Sequence, residues 1–148
     1  GEGQHQDAGS KMVHAAPNTS STIVSKSVAR GGGRTSYRGL VQILEGAHGA
    51  KSSVVCDALL VDQISRSDTY PYVDIREDDV QMGHEASVSK VSEDQLFYLR
   101  SRGVPREDAT ALLVLSFLAN AIDEVEDEGI QSEIVARLEA WLARRRRA

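Results

Sequence analysis

At 148 residues the chain can form one domain with a core of its own, or a small domain carrying an appendage. Its 41% hydrophobic and 26% charged residues are the proportions of a soluble globular protein and exclude disorder throughout. A formal net charge of −5 argues against a phosphate-binding surface over the whole molecule, and one cysteine excludes a disulfide framework and a four-thiolate zinc site.

A single free thiol fits a reducing compartment, and the expected location is cytoplasmic. The chain opens "GEGQHQDAGS", without an initiator methionine or a signal peptide, so it is expected to be a piece of something longer. From Lys11 to about Val91 short β-type runs follow one another: "KMVHAA", "STIVSKSVA", "TSYRGLVQIL", "SSVVCDALLV", "YPYVDIR" and "VQMGHEASVSKV". They are rich in Val, Ile, Thr and Tyr and are separated by polar or glycine-rich corners such as "PNTS", "RGGGR", "EGAHGAK", "SRSDTYP" and "REDD". "RGGGR" lacks the Lys-Ser/Thr of a phosphate-binding loop and runs into a strand, so it reads as a flexible corner.

No Asn-Gly or Asp-Gly hairpin signal joins these runs, which weakens a meander of tight hairpins. Strands stacked coil upon coil give the same pattern, and the spacing alone does not separate a β-helix from a sandwich.

After Val91 the period changes. "SEDQ" is a capping box in which Ser92 accepts from the Gln95 amide, predicting a helix through "EDQLFYLRSR" that stops at Gly103. Pro105 suits the first turn of a second helix, whose expected buried stripe is Ala109, Leu112, Leu113, Ser116, Phe117 and Asn120 within a wider apolar arc. Its run "ATALLVLSFLANAI" is shorter than the ~20 residues of a membrane span, so no membrane is expected. A break near Gly129 precedes a third helix with Ile130, Ile134, Leu138, Trp141 and Leu142 at helical spacing. The closing Arg144 to Arg147 complements a helix carboxyl end better than it grips nucleic acid, for no aromatic platform stands beside it. Residues 1–91 and 92–148 thus form two segments.

Four features invite chemistry. His84 and Glu85 do not make a zincin, because Val88 occupies the position one helical turn on and the context is a strand. In an extended strand the two point to opposite faces, His84 with Met82, Ala86 and Val88 on the apolar side, Glu85 with the polar one. Cys56 lies in "SSVVCDALLVD", a run apolar on both parities and expected to be buried on both faces, where a free cysteine is often a small core residue. Asp57 beside it must find a partner, water or a ligand. Serines and four histidines permit a Ser-His-Asp hydrolase by inventory, yet no Gly-x-Ser-x-Gly elbow is present.

Taken together, "QDAGSKMVHAAPNTSSTIVSKSVARGGGRTSYRGLV", "CDALLVD", "TYPYVDIR" and "GHEASVSKVSEDQLFYLRSRG" resemble the carboxyl-terminal part of the SufB/SufD family of iron-sulfur cluster assembly scaffolds. The resemblance runs from about Gln6 to Gly103, and "HEAS" points to the SufB branch rather than SufD. It implies a mainly β fold, part of a right-handed parallel β-helix, followed by a carboxyl-terminal α-helical segment. It implies a scaffold rather than an enzyme: a nascent, transient iron-sulfur cluster is built at an interface and passed on, while the partner ATPase SufC, docked on the helices, hydrolyses ATP. The other partner, SufD or a second SufB copy, would meet the β-helix. The family's cluster ligands match Cys56 and Glu85 here, with His84 as an adjacent metal ligand. One thiolate per chain makes a weakly held cluster, which suits release and a site shared between chains. The alternatives are a SufD-like structural subunit without its own cluster and a β-solenoid enzyme acting on carbohydrate esters.

Overall fold

The computed structural model describes residues 1–143, and the tetra-arginine run lies outside the described residues. Six strands precede three helices among them: β1 (His5–His14), β2 (Ser20–Ala29), β3 (Arg34–Ile43), β4 (Ala50–Leu60), β5 (Arg66–Ile75), β6 (Val80–Lys90), α1 (Glu93–Ser101), α2 (Arg106–Asp123) and α3 (Glu128–Ala143). The chain divides into two units, Gly1–Ser89 and Lys90 onward.

Alternate strands pair. One sheet has the order β1-β3-β5 and the other β2-β4-β6. The pairs are parallel, with His5 opposite Arg34, Ser20 opposite Lys51 and Arg34 opposite Arg66. A parallel pair cannot be closed by a two-residue hairpin and needs a crossover, and here each crossover contains a strand of the other sheet. That is why the sequence carries no hairpin signal. Neither sheet closes or curls. The expectation of a mainly β fold with a helical carboxyl-terminal segment therefore holds as two open parallel sheets and three helices.

Side chains from both sheets meet in one cluster of Tyr37, Val41, Ile43, Ala47, Ala50, Val54 and Cys56, against which Ile23, Val80 and Met82 pack. Period-2 alternation delivers them: Ala50, Ser52, Val54, Cys56 and Ala58 of β4 are buried, while Lys51 and Ser53 are exposed. This corrects the expectation that the "SSVVCDALLVD" strand is buried on both faces; only Leu59 and Leu60 make it so, at its end. β1 begins at His5 rather than Lys11, because pairing with β3 recruits the polar "HQDAGS" stretch through the backbone ladder and through side-chain ties of His5 to Ser36, Asp7 to Arg38 and Ser10 to Tyr37.

The glycine-rich corner is built, not loose. Gly31 and Gly32 take φ of 61° and 76°, a region that favours glycine. The Asp62 carboxylate accepts the amides of Gly31, Ile64 and Ser65, stapling the β2–β3 corner to the β4–β5 corner.

In the helical unit Ser92 caps α1, its hydroxyl accepting the Gln95 amide at 3.3 Å. Gly103, at φ 87°, follows the last turn as expected. α2 starts after Pro105, and the expected stripe holds only in part: Ala109 is buried and Leu113 and Phe117 are half-buried, but Leu112 is half exposed, Ser116 and Asn120 are exposed, and Val114 from beside the stripe is buried instead. An apolar arc this wide leaves the helix's rotation to its packing. The break before α3 lies at residues 124–127, and Gly129 falls inside its first turn, where Asp127 Oδ1 accepts the Ile130 amide at 2.9 Å.

Candidate functional site

The residues singled out by their chemistry lie on β4 and β6, in the same sheet. Cys56 points inward from β4, 4% exposed, in the apolar cluster with Tyr37, Val41 and Val54. Its register partner on β2 is Ser25. Burial, and secondarily the charge of Asp57, push the thiol pKa above its ordinary value, so the free site holds a protonated sulfur. Ligation to a metal would displace that proton.

Asp57 points to the opposite face. Lys26 Nζ lies 3.4 Å from its Oδ2, and Ser87 Oγ donates to its Oδ1 at 2.6 Å. The carboxylate that is awkward in an apolar strand is thus fully partnered from both sides. Sequence reading did not find Lys26 or Ser87. The signal was present, since 31 and 30 residues separate the members of this row, but it has meaning only once the stacking offset is known.

His84 and Glu85 take opposite faces of β6, as alternation requires. Met82, Tyr37, Val54, Pro71, Tyr72 and Val73 line a narrow cleft between the two sheets together with His84. His84 is nevertheless exposed, because no further strand lies beyond β6 in its sheet. Glu85, on the face of Ser87, is exposed as well. Cys56 and His84 therefore share the inward face, and Glu85 lies on the outward one. Among the described residues no three His, Cys, Asp or Glu side chains come together as a metal-holding group.

A second polar group is interior. His14, 2% exposed, binds Thr19 Oγ1 through Nδ1 at 2.7 Å and Ser21 Oγ through Nε2 at 2.9 Å, and Ser21 donates to Ser52 Oγ at 2.9 Å. This Thr-His-Ser-Ser chain contains no carboxylate. It satisfies buried polar atoms rather than forming the acid-base-nucleophile relay of a hydrolase.

The family model for the SUF system FeS cluster assembly, SufBD core domain, matches residues 1–117. An iron-sulfur cluster assembly SufBD family protein of Mycobacterium tuberculosis is 71% identical over 128 residues, covering 86% of this chain and 15% of that protein. A protein of the same description from Mycobacterium leprae is 72% identical over 128 residues, with the same coverage. The iron-sulfur cluster assembly protein SufB of Bacillus subtilis is 57% identical over 118 residues, or 80% of this chain and 25% of that protein. The chain thus spans 15% to 25% of the length of these relatives.

Proposed function

The chain belongs to the SufBD core domain family of the SUF system for iron-sulfur cluster assembly, and from that premise we propose that it works as a SufB-like scaffold segment, building and transferring nascent clusters at an interface with a partner subunit. The cluster is cargo, held briefly and released. Cys56 supplies the soft thiolate, Glu85 a hard carboxylate oxygen and His84 an imidazole nitrogen.

One observation carries the reading. β6, which bears His84 and Glu85, ends its sheet, and the last turn of the strand unit gathers exposed apolar side chains: Ile64 (71%), Tyr72 (75%), Val73 (45%), Ile75 (41%) and Val88 (57%). An uncovered parallel edge bordered by apolar groups is a surface that another sheet completes, through both backbone pairing and burial. Donors left apart within one chain would be joined there by donors of the partner, either a SufD-type subunit or a second copy. In this reading the two parallel sheets are rungs of a right-handed β-helix that continues beyond the chain's own strands. The helices dock a SufC-type ATPase, which performs the nucleotide chemistry, and the scaffold itself is not an enzyme. Neither nucleic acid nor membrane is a partner, and the setting is the cytoplasm. Among the described residues no helix is long and apolar enough to cross a membrane.

The burial of Cys56 favours a second reading, a SufD-like subunit that contributes interface without its own cluster. Anaerobic reconstitution with ferrous iron and sulfide separates the two. A scaffold gains visible charge-transfer absorption that Cys56→Ser abolishes and Glu85→Gln reduces several-fold. Absorption that survives Cys56→Ser undiminished overturns the scaffold reading.

A further inference from the structure

Neither core packing nor the proposed cluster chemistry uses the Asp57 carboxylate, yet it ties three strands together. Lys26 on β2, Asp57 on β4 and Ser87 on β6 form one row across the outward face of their sheet, and each carboxylate oxygen serves a different neighbour, at 3.4 Å for Lys26 and 2.6 Å for Ser87. The Lys26 and Asp57 side chains are 14% and 23% exposed, while the other ion pairs of the strand unit leave at least 33% of each side chain in solvent. This pair is therefore the least screened of the four.

Its position matters more than its strength. A backbone ladder forms equally well in several registers, and burial of one face normally selects among them. β6 has such burial only at its start, where Val80 and Met82 pack on the core; from Gly83 to Lys90 every residue is exposed. That unanchored half carries His84 and Glu85. Two side-chain ties hold it to β4: Ser87 to Asp57, and the longer bond from Ser89 Oγ to the Ala58 carbonyl at 3.4 Å. A slip of one residue would exchange the faces of His84 and Glu85.

We propose that Asp57, steadied by Lys26, is a positioning residue that pins β6 to β4 through Ser87, and so sets where His84 and Glu85 stand relative to Cys56. The register claim stands by itself; its consequence for cluster assembly rests on the scaffold reading. Two readouts on the intact chain test both parts. Hydrogen exchange of amides 84–88 should accelerate at least fivefold in Ser87→Ala, with β1 and β3 unchanged, and return to the wild-type rate in Ser87→Thr, which keeps the hydroxyl. Asp57→Asn keeps an acceptor but loses the charge, and should fall between them. Reconstituted visible absorption should drop at least threefold in Ser87→Ala and recover in Ser87→Thr. Unaltered exchange in Ser87→Ala, or acceleration spread evenly over all strands, overturns the proposal. Localised exchange without any loss of absorption overturns its consequence for the site. Should wild-type absorption prove independent of Cys56, the scaffold reading fails while the exchange data still decide the register claim.

Discussion

In the strand unit the ties between stacked strands mostly join residues 30 to 34 apart, such as Ser21 with Ser52 and Arg34 with Asp68, whereas in the helical unit they span 3 to 13, as at Ser92–Gln95, Glu133–Arg137 and Glu93–Arg106. Burial differs most between the strand core and α3. Ile43, Ala47 and Ala50 are fully enclosed, as are Ala109 and Val114 of α2, while α3 buries no residue at all. A rung of a stacked sheet finds its hydrogen bonds and its apolar contacts only in the rungs beside it, so interior rungs are sealed and terminal ones stay open. A helix satisfies its own backbone and can persist with a thin buried stripe. Sensitivity to substitution should follow the same division.

The sharpest contrast is one substitution made in both units. Ile43→Ala removes a fully buried side chain and should cost about 2–5 kcal/mol, whereas Ile130→Ala, at a side chain 54% exposed, should stay within roughly 0.5 kcal/mol. Thermal midpoints followed by circular dichroism check this. Equal shifts would erase the distinction between a sealed rung and an open helix.

Next in size is Asp62, whose role at the corner belongs to the strand unit alone. Burial pushes its carboxyl pKa up, but hydrogen bonds from the Ser65 side chain and from the amides of Gly31, Ser65 and Ile64 outweigh this and hold it below the ordinary value. A folded-state pKa lower than the unfolded one contributes stability that is present above the unfolded value of about 3.9 and is lost as pH falls through the folded one. Asp62→Asn should therefore destabilise by about 1–3 kcal/mol near neutrality, through lost charge-assisted hydrogen bonds. That gap should close on acidification below the unfolded value. Urea midpoints across pH measure it, and a gap independent of pH would assign the effect to shape rather than charge.

The smallest effect should come from the local tie. Ser92→Ala removes the hydroxyl that accepts the Gln95 amide and should cost about 1 kcal/mol, seen as lost helical ellipticity. A loss as large as that of Ile43→Ala would mean that the helical unit depends on far more than its own caps.

Much of this was legible beforehand. Val, Ile and Thr in alternation marked the strands, and Ser92, Gly103 and Pro105 bracketed the first helices, because capping and alternation are properties of neighbouring residues. Alternation also assigned His84 to the inward face and Glu85 to the outward one. The rotation of α2 was hidden, since Val114, Leu115 and Leu118 offered as plausible a face as Leu112. Asp57 announced that it needed a partner without saying which. Lys26 and Ser87 look like ordinary surface residues until stacking brings them to either side of it.

Residue order alone was enough to specify the elements, the change of period after Val91 and the kinship with iron-sulfur assembly proteins, since each is written in short-range pattern. Pairing between strands separated by a whole crossover was decided only by the tertiary structure. Hydrogen bonds between parallel strands carry no sequence label, so burial of Ile43 and Val54 and the row through Asp57 had to select which strands met and in what register.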